Sequence, residues 1–238
     1  LVRSEIRSEL KEGIQAALPV VFGYFPIGMA FGVLAVQSGM TTFEIFLMSL
    51  LVYAGSAQFI AAGLLAAQAS IGTIVLTTFL VNSRHLLMTA SLAPYVRNIN
   101  AKLLSLLSFW VTDETYAISM GAVVKQQKSK WYFWGLFITS HLAWLSSTVL
   151  GSVMGNFIPE PQRFGLDFAL PAMFIALLVL QVRHKKAIAV IVISAALSIG
   201  IKLNLAGSWN IILATVISAT IGVLIDKWME KSSQSLSA

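Results

Sequence analysis

Long apolar stretches without a single acid or base set the pattern of this chain. Residues 13–43 carry no Asp, Glu, Lys or Arg for 31 positions, 45–83 for 39, 131–159 for 29 and 203–225 for 23. A helix that crosses a bilayer needs about 20 mostly apolar residues. With Gly and Pro as punctuation, the stretches predict spans at roughly 14–37, 45–67, 71–93, 103–124, 131–155, 166–182, 186–203 and 207–227, to within about 2–4 residues at each end. The fold class is therefore an all-α integral membrane protein of about eight transmembrane helices, with seven as the other count the segments allow.

Composition agrees and narrows the field. Of the 238 residues, 57% are apolar and 11% charged, against ~25% charged in soluble domains. A soluble chain this apolar would expose large patches and aggregate. There is no cysteine, which excludes disulfides, thiolate nucleophiles and Cys metal sites. The net charge of +6 reads as loop bias rather than as a nucleic-acid surface.

Lys and Arg then orient the spans. With the N-terminus inside, the inner segments hold eleven (Arg3, Arg7, Lys11, Lys125, Lys128, Lys130, Arg183, Lys185, Lys186, Lys227, Lys231) and the outer segments four (Arg97, Lys102, Arg163, Lys202). That asymmetry places both termini in the cytoplasm. Residues 1–12 alternate in charge and read as a short surface helix or frayed tail, 13–228 as a single transmembrane transporter domain, and 229–238 as a cytoplasmic tail.

Ionisable groups at membrane depth are costly, at ~2.5–3.5 kcal/mol each on insertion scales, and so carry the chemistry. In span four, ten uncharged residues precede Asp113 and Glu114 and ten follow, which puts both acids near the midplane. Neighbours on a helix point ~100° apart, so the two carboxylates diverge unless the helix breaks there. In span three, Thr78, Asn82, His85 and Thr89 form one helical stripe, and Arg84 points elsewhere. Arg84 either pairs with Asp113 or Glu114 or holds a substrate carboxylate. Pro19 and Pro26 in span one, and the small residues around Tyr53, Gly55, Ser56 and Gln58 in span two, suggest that the first and second helices are kinked or discontinuous. Gly28 and Gly32 make a face for close helix approach. His141 reads as a satisfied interhelical hydrogen bond before a proton relay, and Asp167 as a helix cap.

Four motifs together resemble the AzlC family, the large subunits of bacterial branched-chain amino acid exporters. They are Phe25-Pro26-Ile27-Gly28-Met29-Ala30-Phe31-Gly32, Ser56-Ala57-Gln58-Phe59, Asn82-Ser83-Arg84-His85-Leu86-Leu87-Met88 and Thr112-Asp113-Glu114-Thr115-Tyr116-Ala117. The likeness continues through Leu166-Asp167-Phe168-Ala169. It implies a multi-pass protein of the bacterial inner (cytoplasmic) membrane. The implied activity is export of leucine, isoleucine, valine and related residues such as methionine, driven by the proton motive force, with a small AzlD-like membrane subunit and no cofactor. A zwitterionic substrate needs receptors for its carboxylate and ammonium and an apolar pocket. Substrate-binding candidates are Pro26, Gly28, Tyr53, Ser56, Gln58, Asn82, Arg84, Asp113 and Tyr116. Candidates for proton coupling are Asp113 foremost, then Glu114 and His85.

Two other classes compete. An intramembrane enzyme would use Arg84, His85, His141, Asp113 and Glu114, but there are three histidines, no Cys and no H-E-x-x-H spacing. A channel or purely structural subunit would not need so many polar groups at one depth.

Overall fold

The computed structural model describes residues 2–97, 99–158 and 185–204 continuously, with individual positions between 160 and 182 and between 213 and 223. The expected span six, most of span eight, the tail at 229–238 and the Asp167 cap lie outside the described residues. The described residues are helical, without a strand. The chain divides into two compact units, Leu1–Pro171 and Ala172–Ala238.

The first unit is built on two long helices, α1 (Val2–Gln37) and α8 (Lys130–Gly155). Between them lie α2 (Thr42–Leu51), α3 (Gly55–Ala66), α4 (Ile71–Asn82), α5 (Arg84–Leu92), α6 (Ala101–Ser108) and α7 (Asp113–Val123). A 3₁₀ turn at Ala93–Tyr95 follows α5. The described helix of the second unit is α9 (Lys185–Asn204). By length and apolarity, Arg3–Gln37, Ile71–Tyr95, Lys130–Gly155 and Ala187–Asn204 are each able to cross a bilayer.

Glycine decides how α1 and α8 meet. A Cβ on Gly13 would lie 2.1 Å from the Tyr132 carbonyl oxygen, and one on Gly135 would lie 2.3 Å from that of Leu10. Further along, Gly28 abuts Ser147, Gly151 abuts Met29, and Gly32 abuts the Thr148 carbonyl. The contacts climb together on both helices, so the pair is parallel. At its start Lys128 Nζ meets Glu12 at 2.5 Å, and Glu9 accepts from the Ser129 amide at 3.0 Å. At its end Gln37 donates to the Ile158 carbonyl at 3.1 Å. Between these two parallel helices the chain runs through six shorter ones, in three successive pairs.

Those segments explain their own lengths. An α-helix rises about 1.5 Å per residue, so α2 plus α3 span roughly 33 Å end to end, α4 plus α5 roughly 32 Å and α6 plus α7 roughly 29 Å, each near the ~30 Å hydrocarbon thickness. No single piece is long enough to cross a bilayer alone. The capping residues mark the pieces. Thr41 and Glu44 form a capping box on α2, and Thr112 and Thr115 form one on α7. Ser70, Asn100 and Ser129 cap α4, α6 and α8. Such caps satisfy amides that have no partner within the helix.

The expected breaks are thus redistributed. The second span is interrupted, as is the fourth, and the third only by a one-residue turn at Ser83, but the first is not: α1 runs unbroken through Pro19 and Pro26. The reason is its neighbour. Proline frees backbone carbonyls, and a packed helix with hydroxyl side chains can re-satisfy the backbone. The carbonyl that Pro26 frees is that of Phe22, and α8 packs along the following turn, where Ser147 donates to the Tyr24 carbonyl at 3.3 Å and Gly151 abuts Met29. The charged residues 2–12 extend α1 rather than forming a separate helix or tail.

Candidate functional site

The interruptions at 52–54, 83 and 109–112 bring the polar residues of three segments together. Asp113 and Glu114 open α7, where the helix dipole favours negative charge. Arg84 follows Ser83, a one-residue turn whose backbone stays in the right-handed helical region, so α4 and α5 run on as Ile71–Tyr95 and the half-buried Arg84 charge depends on a partner. That partner is Asp113: Arg84 Nη2 lies 2.8 Å from its Oδ2. The same nitrogen donates to Ser56 Oγ, at the start of α3, at 2.5 Å. Three segments are therefore joined through one guanidinium nitrogen.

Glu114 goes another way. It accepts a hydrogen bond from the Tyr24 hydroxyl of α1 at 2.9 Å. That hydroxyl also lies 2.6 Å from Thr112 Oγ1. The helix break lets two adjacent acids serve different partners, and their divergence follows the ~100° step between neighbours.

The stripe on span three faces open space. Asn82, His85 and Thr89, with Phe79, Leu86 and Ser108, line a cavity of about 290 Å³. This is close to the ~300 Å³ at the lower end of small-ligand pockets. Asn82 Oδ1, from one of the lining residues, and Arg84 Nε, whose side chain is not part of the lining, are buried without a hydrogen-bond partner. Thr78 stays outside the cavity and bonds back to the Ile74 carbonyl at 2.8 Å.

Other candidates are placed in structural positions. Gln58 is fully buried, accepting from Trp144 Nε1 at 2.9 Å and donating to Ser49 Oγ at 3.1 Å, so both ends of its amide are engaged. Gly28 lies in the α1–α8 contact, where a Cβ would meet Ser147 Oγ at 2.0 Å. Pro26 is exposed on an intact helix, which removes the notion of freed amides at 26–28. Tyr116 bridges to α5 through Ser91, 2.7 Å between hydroxyl oxygens. Tyr53 is 2% exposed, has its hydroxyl unpartnered, and holds a left-handed backbone with φ 42°. Bulky residues adopt that conformation only at a cost, and such outliers cluster at functional sites.

His141 resolves as a hydrogen-bonded core group. Trp110 Nε1, which can only donate, lies 2.8 Å from His141 Nδ1. The ring is therefore the neutral tautomer with its proton on Nε2, facing the Ser49 carbonyl at 3.1 Å. Tyr24 and Trp110 were not singled out from sequence. Tyr24 sits in the motif around Pro26, and a phenol in mid-span was the available signal. Among the described residues, no three His, Asp or Glu side chains converge to hold a metal.

Comparison with known proteins fixes the family. The family described as AzlC protein matches residues 19–158, more than half of the chain. The chain belongs to the AzlC family. AzlC relatives include the branched-chain amino acid transport protein AzlC of Bacillus subtilis, 27% identical over 98% of this chain and 92% of its own. An uncharacterized membrane protein of Helicobacter pylori is 31% identical over 77% of this chain and 82% of its own. The inner membrane protein YgaZ of Escherichia coli K12 is 29% identical, covering 75% and 76%. No solved structure matches the chain significantly. The AzlC match ends where α8 ends, so it takes in the parallel pair and all three interrupted segments.

Proposed function

We propose that this AzlC-family chain is a secondary exporter of branched-chain amino acids in a bacterial cytoplasmic membrane. It takes leucine, isoleucine, valine and related residues such as methionine. Export runs against inward proton flow, and a small AzlD-like membrane subunit acts with it. A transporter role has the support of the Bacillus subtilis relative, named for branched-chain amino acid transport. The observation that carries the substrate class is the Arg84–Asp113 pair at the junction of three segments, with Arg84 Nε unpartnered and Asn82 Oδ1, from the lining of a cavity, unpartnered as well.

A zwitterion is the ligand such a pair accepts at least cost. Pulling apart two charges at this depth leaves each uncompensated, a loss of several kcal/mol. An amino acid inserted between them gives its carboxylate to Arg84 and its ammonium to Asp113, so no charge is stranded in either state. Ser56 and Asn82 orient the ends, and Phe79 and Leu86 meet the side chain. An apolar wall distinguishes one methylene by only ~1–3 kcal/mol, so several branched substrates share the site.

The test is leucine efflux from proteoliposomes, with and without an imposed pH gradient, for this chain alone and with its small partner. Gradient-dependent efflux that excess isoleucine or valine suppresses is the expected result. No leucine movement from folded protein in either preparation overturns the substrate assignment.

A further inference from the structure

Two adjacent carboxylates open α7, and they are held in opposite ways. Asp113 faces a guanidinium at 2.8 Å, and Ser56 fixes that guanidinium at 2.5 Å. Glu114 faces hydroxyls: Tyr24 at 2.9 Å, with Thr112 2.6 Å further on. Among the described residues no Lys, Arg or His nitrogen forms an ion pair with Glu114. Tyr53 adds a third phenol or hydroxyl to this cluster, its ring edge-on to Tyr24 with centroids 6.4 Å apart and its hydroxyl buried and unpartnered.

We infer that the two acids divide the labour: Glu114 carries the proton, and Asp113 stays charged as half of the substrate pair. This rests on the proton-coupled reading above. Protonating Asp113 would leave Arg84 uncompensated at membrane depth. Protonating Glu114 strands no cation and removes a charge supported by hydroxyls and the start of α7 rather than by a cationic partner. The hydrogen bonds can follow the proton. Tyr24 donates to the Glu114 carboxylate, and the Tyr24–Thr112 contact allows either oxygen to be the donor. When Glu114 takes up a proton on one oxygen, it donates to the Tyr24 oxygen, Tyr24 turns its own proton to Thr112 Oγ1, and Thr112 turns its proton from Tyr24 to Thr115 Oγ1, 3.2 Å away. Release of the proton on the other side reverses each step, with no other bond made or broken.

The surrounding titratable groups leave this role to Glu114. From its own helix it sees Asp113, from α1 Tyr24, and from the α2–α3 break Tyr53. From α5, Arg84 pairs with Asp113 and His85 lines the cavity. From α8, His141 has both ring nitrogens engaged, by Trp110 and by the Ser49 carbonyl.

The test uses the full chain in lipid with its small partner and reads two independent signals. The first is the infrared band of a protonated carboxyl, followed from about pH 5 to pH 9, across the range in which perturbed carboxyls titrate. The second is labelled leucine movement, by exchange at equal pH and by efflux under a pH gradient. Glu114→Gln is expected to lose the band and to slow gradient-driven efflux at least about tenfold more than exchange. Asp113→Asn is expected to keep the band and lose exchange and efflux together. Glu114→Asp, which keeps a carboxyl, is expected to retain a titrating band and partial gradient response, and it serves if the Gln variant does not fold. A band that survives Glu114→Gln and disappears in Asp113→Asn overturns the assignment. If wild-type efflux ignores the pH gradient, proton coupling itself falls, and the infrared band still decides whether Glu114 is the group that titrates.

Discussion

The α1–α8 pair and the α4–α5 segment are of comparable apolar character but are packed in opposite fashion. In the most apolar stretch of α8, 56% of residues are buried, against 6% in the most apolar stretch of Ile71–Tyr95. The first pair is locked by glycines against backbone, and the second carries Leu86 and Leu87 at 69% and 75% exposure. Arg84 belongs to the loosely held segment, and Tyr24 to the locked one. The site therefore joins a fixed wall to an element with little else to hold it, the arrangement that lets one ion pair report on, and control, a segment's position. Mobile elements are drawn from regions with few buried apolar contacts.

The contrast can be broken most severely at Gly32. A Cβ there would lie 2.2 Å from the Thr148 carbonyl and 2.5 Å from the Ser152 amide, both backbone atoms that cannot step aside. Gly32→Val is expected to cost ~3 kcal/mol or more, read as a fall in the thermal midpoint or the loss of monodisperse protein. Gly121→Ala, with nothing within 4 Å of its added carbon, should instead be neutral or stabilise by up to about 1 kcal/mol through helix propensity. Equal losses at the two glycines would mean that α1 and α8 are not the rigid wall.

A middling effect is expected at the joint itself. Arg84→Ala leaves Asp113 unpaired at 15% side-chain exposure and Asp113→Ala leaves Arg84 unpaired at 30%, for a cost of about 2 kcal/mol after allowing for that partial exposure. Arg84→Glu combined with Asp113→Lys should recover most of the lost stability, measured as a double-mutant cycle. A cycle with no coupling would separate α5 from α7.

The smallest change is Thr112→Val. It removes the α7 cap and the hydroxyl 2.6 Å from Tyr24, and should lower stability by ~1 kcal/mol. Because α7 stays anchored through Arg84 and Tyr116, its substrate exchange should persist. A loss as large as that of Arg84→Ala would place the cap, rather than the ion pair, at the centre of the junction.

Much of this was readable from charge and spacing alone. The acid-free flanks of Asp113 and Glu114 single them out in the sequence, and the structure sets them at the start of α7, facing Arg84 and Tyr24. The stripe Asn82, His85, Thr89 came from period alone and does line one cavity. What escaped was long-range. Pro26 carries a strong local signal for a break, but α8 packs along α1 there through Gly28 and Gly151, and the helix runs on. Gln58 looked available because its sequence neighbourhood is small and polar, yet Trp144 and Ser49 occupy it from α8 and α2. The turn at 83 and the break at 109–112 have no proline to announce them. They arise where Ser83 and Thr112 close one helical piece or cap the next.

The parallel pairing of α1 with α8 also sets a timetable for biosynthesis. Their bonded residues stand 116 to 123 positions apart. At about 5–20 residues per second, α1 waits roughly 6–24 s after leaving the ribosome before the sequence it needs has been made. Throughout that interval its row of glycines lies against lipid, and the pieces of the three intervening segments enter the bilayer ahead of the partner that closes the bundle. The first unit thus becomes complete in one late step, when α8 arrives.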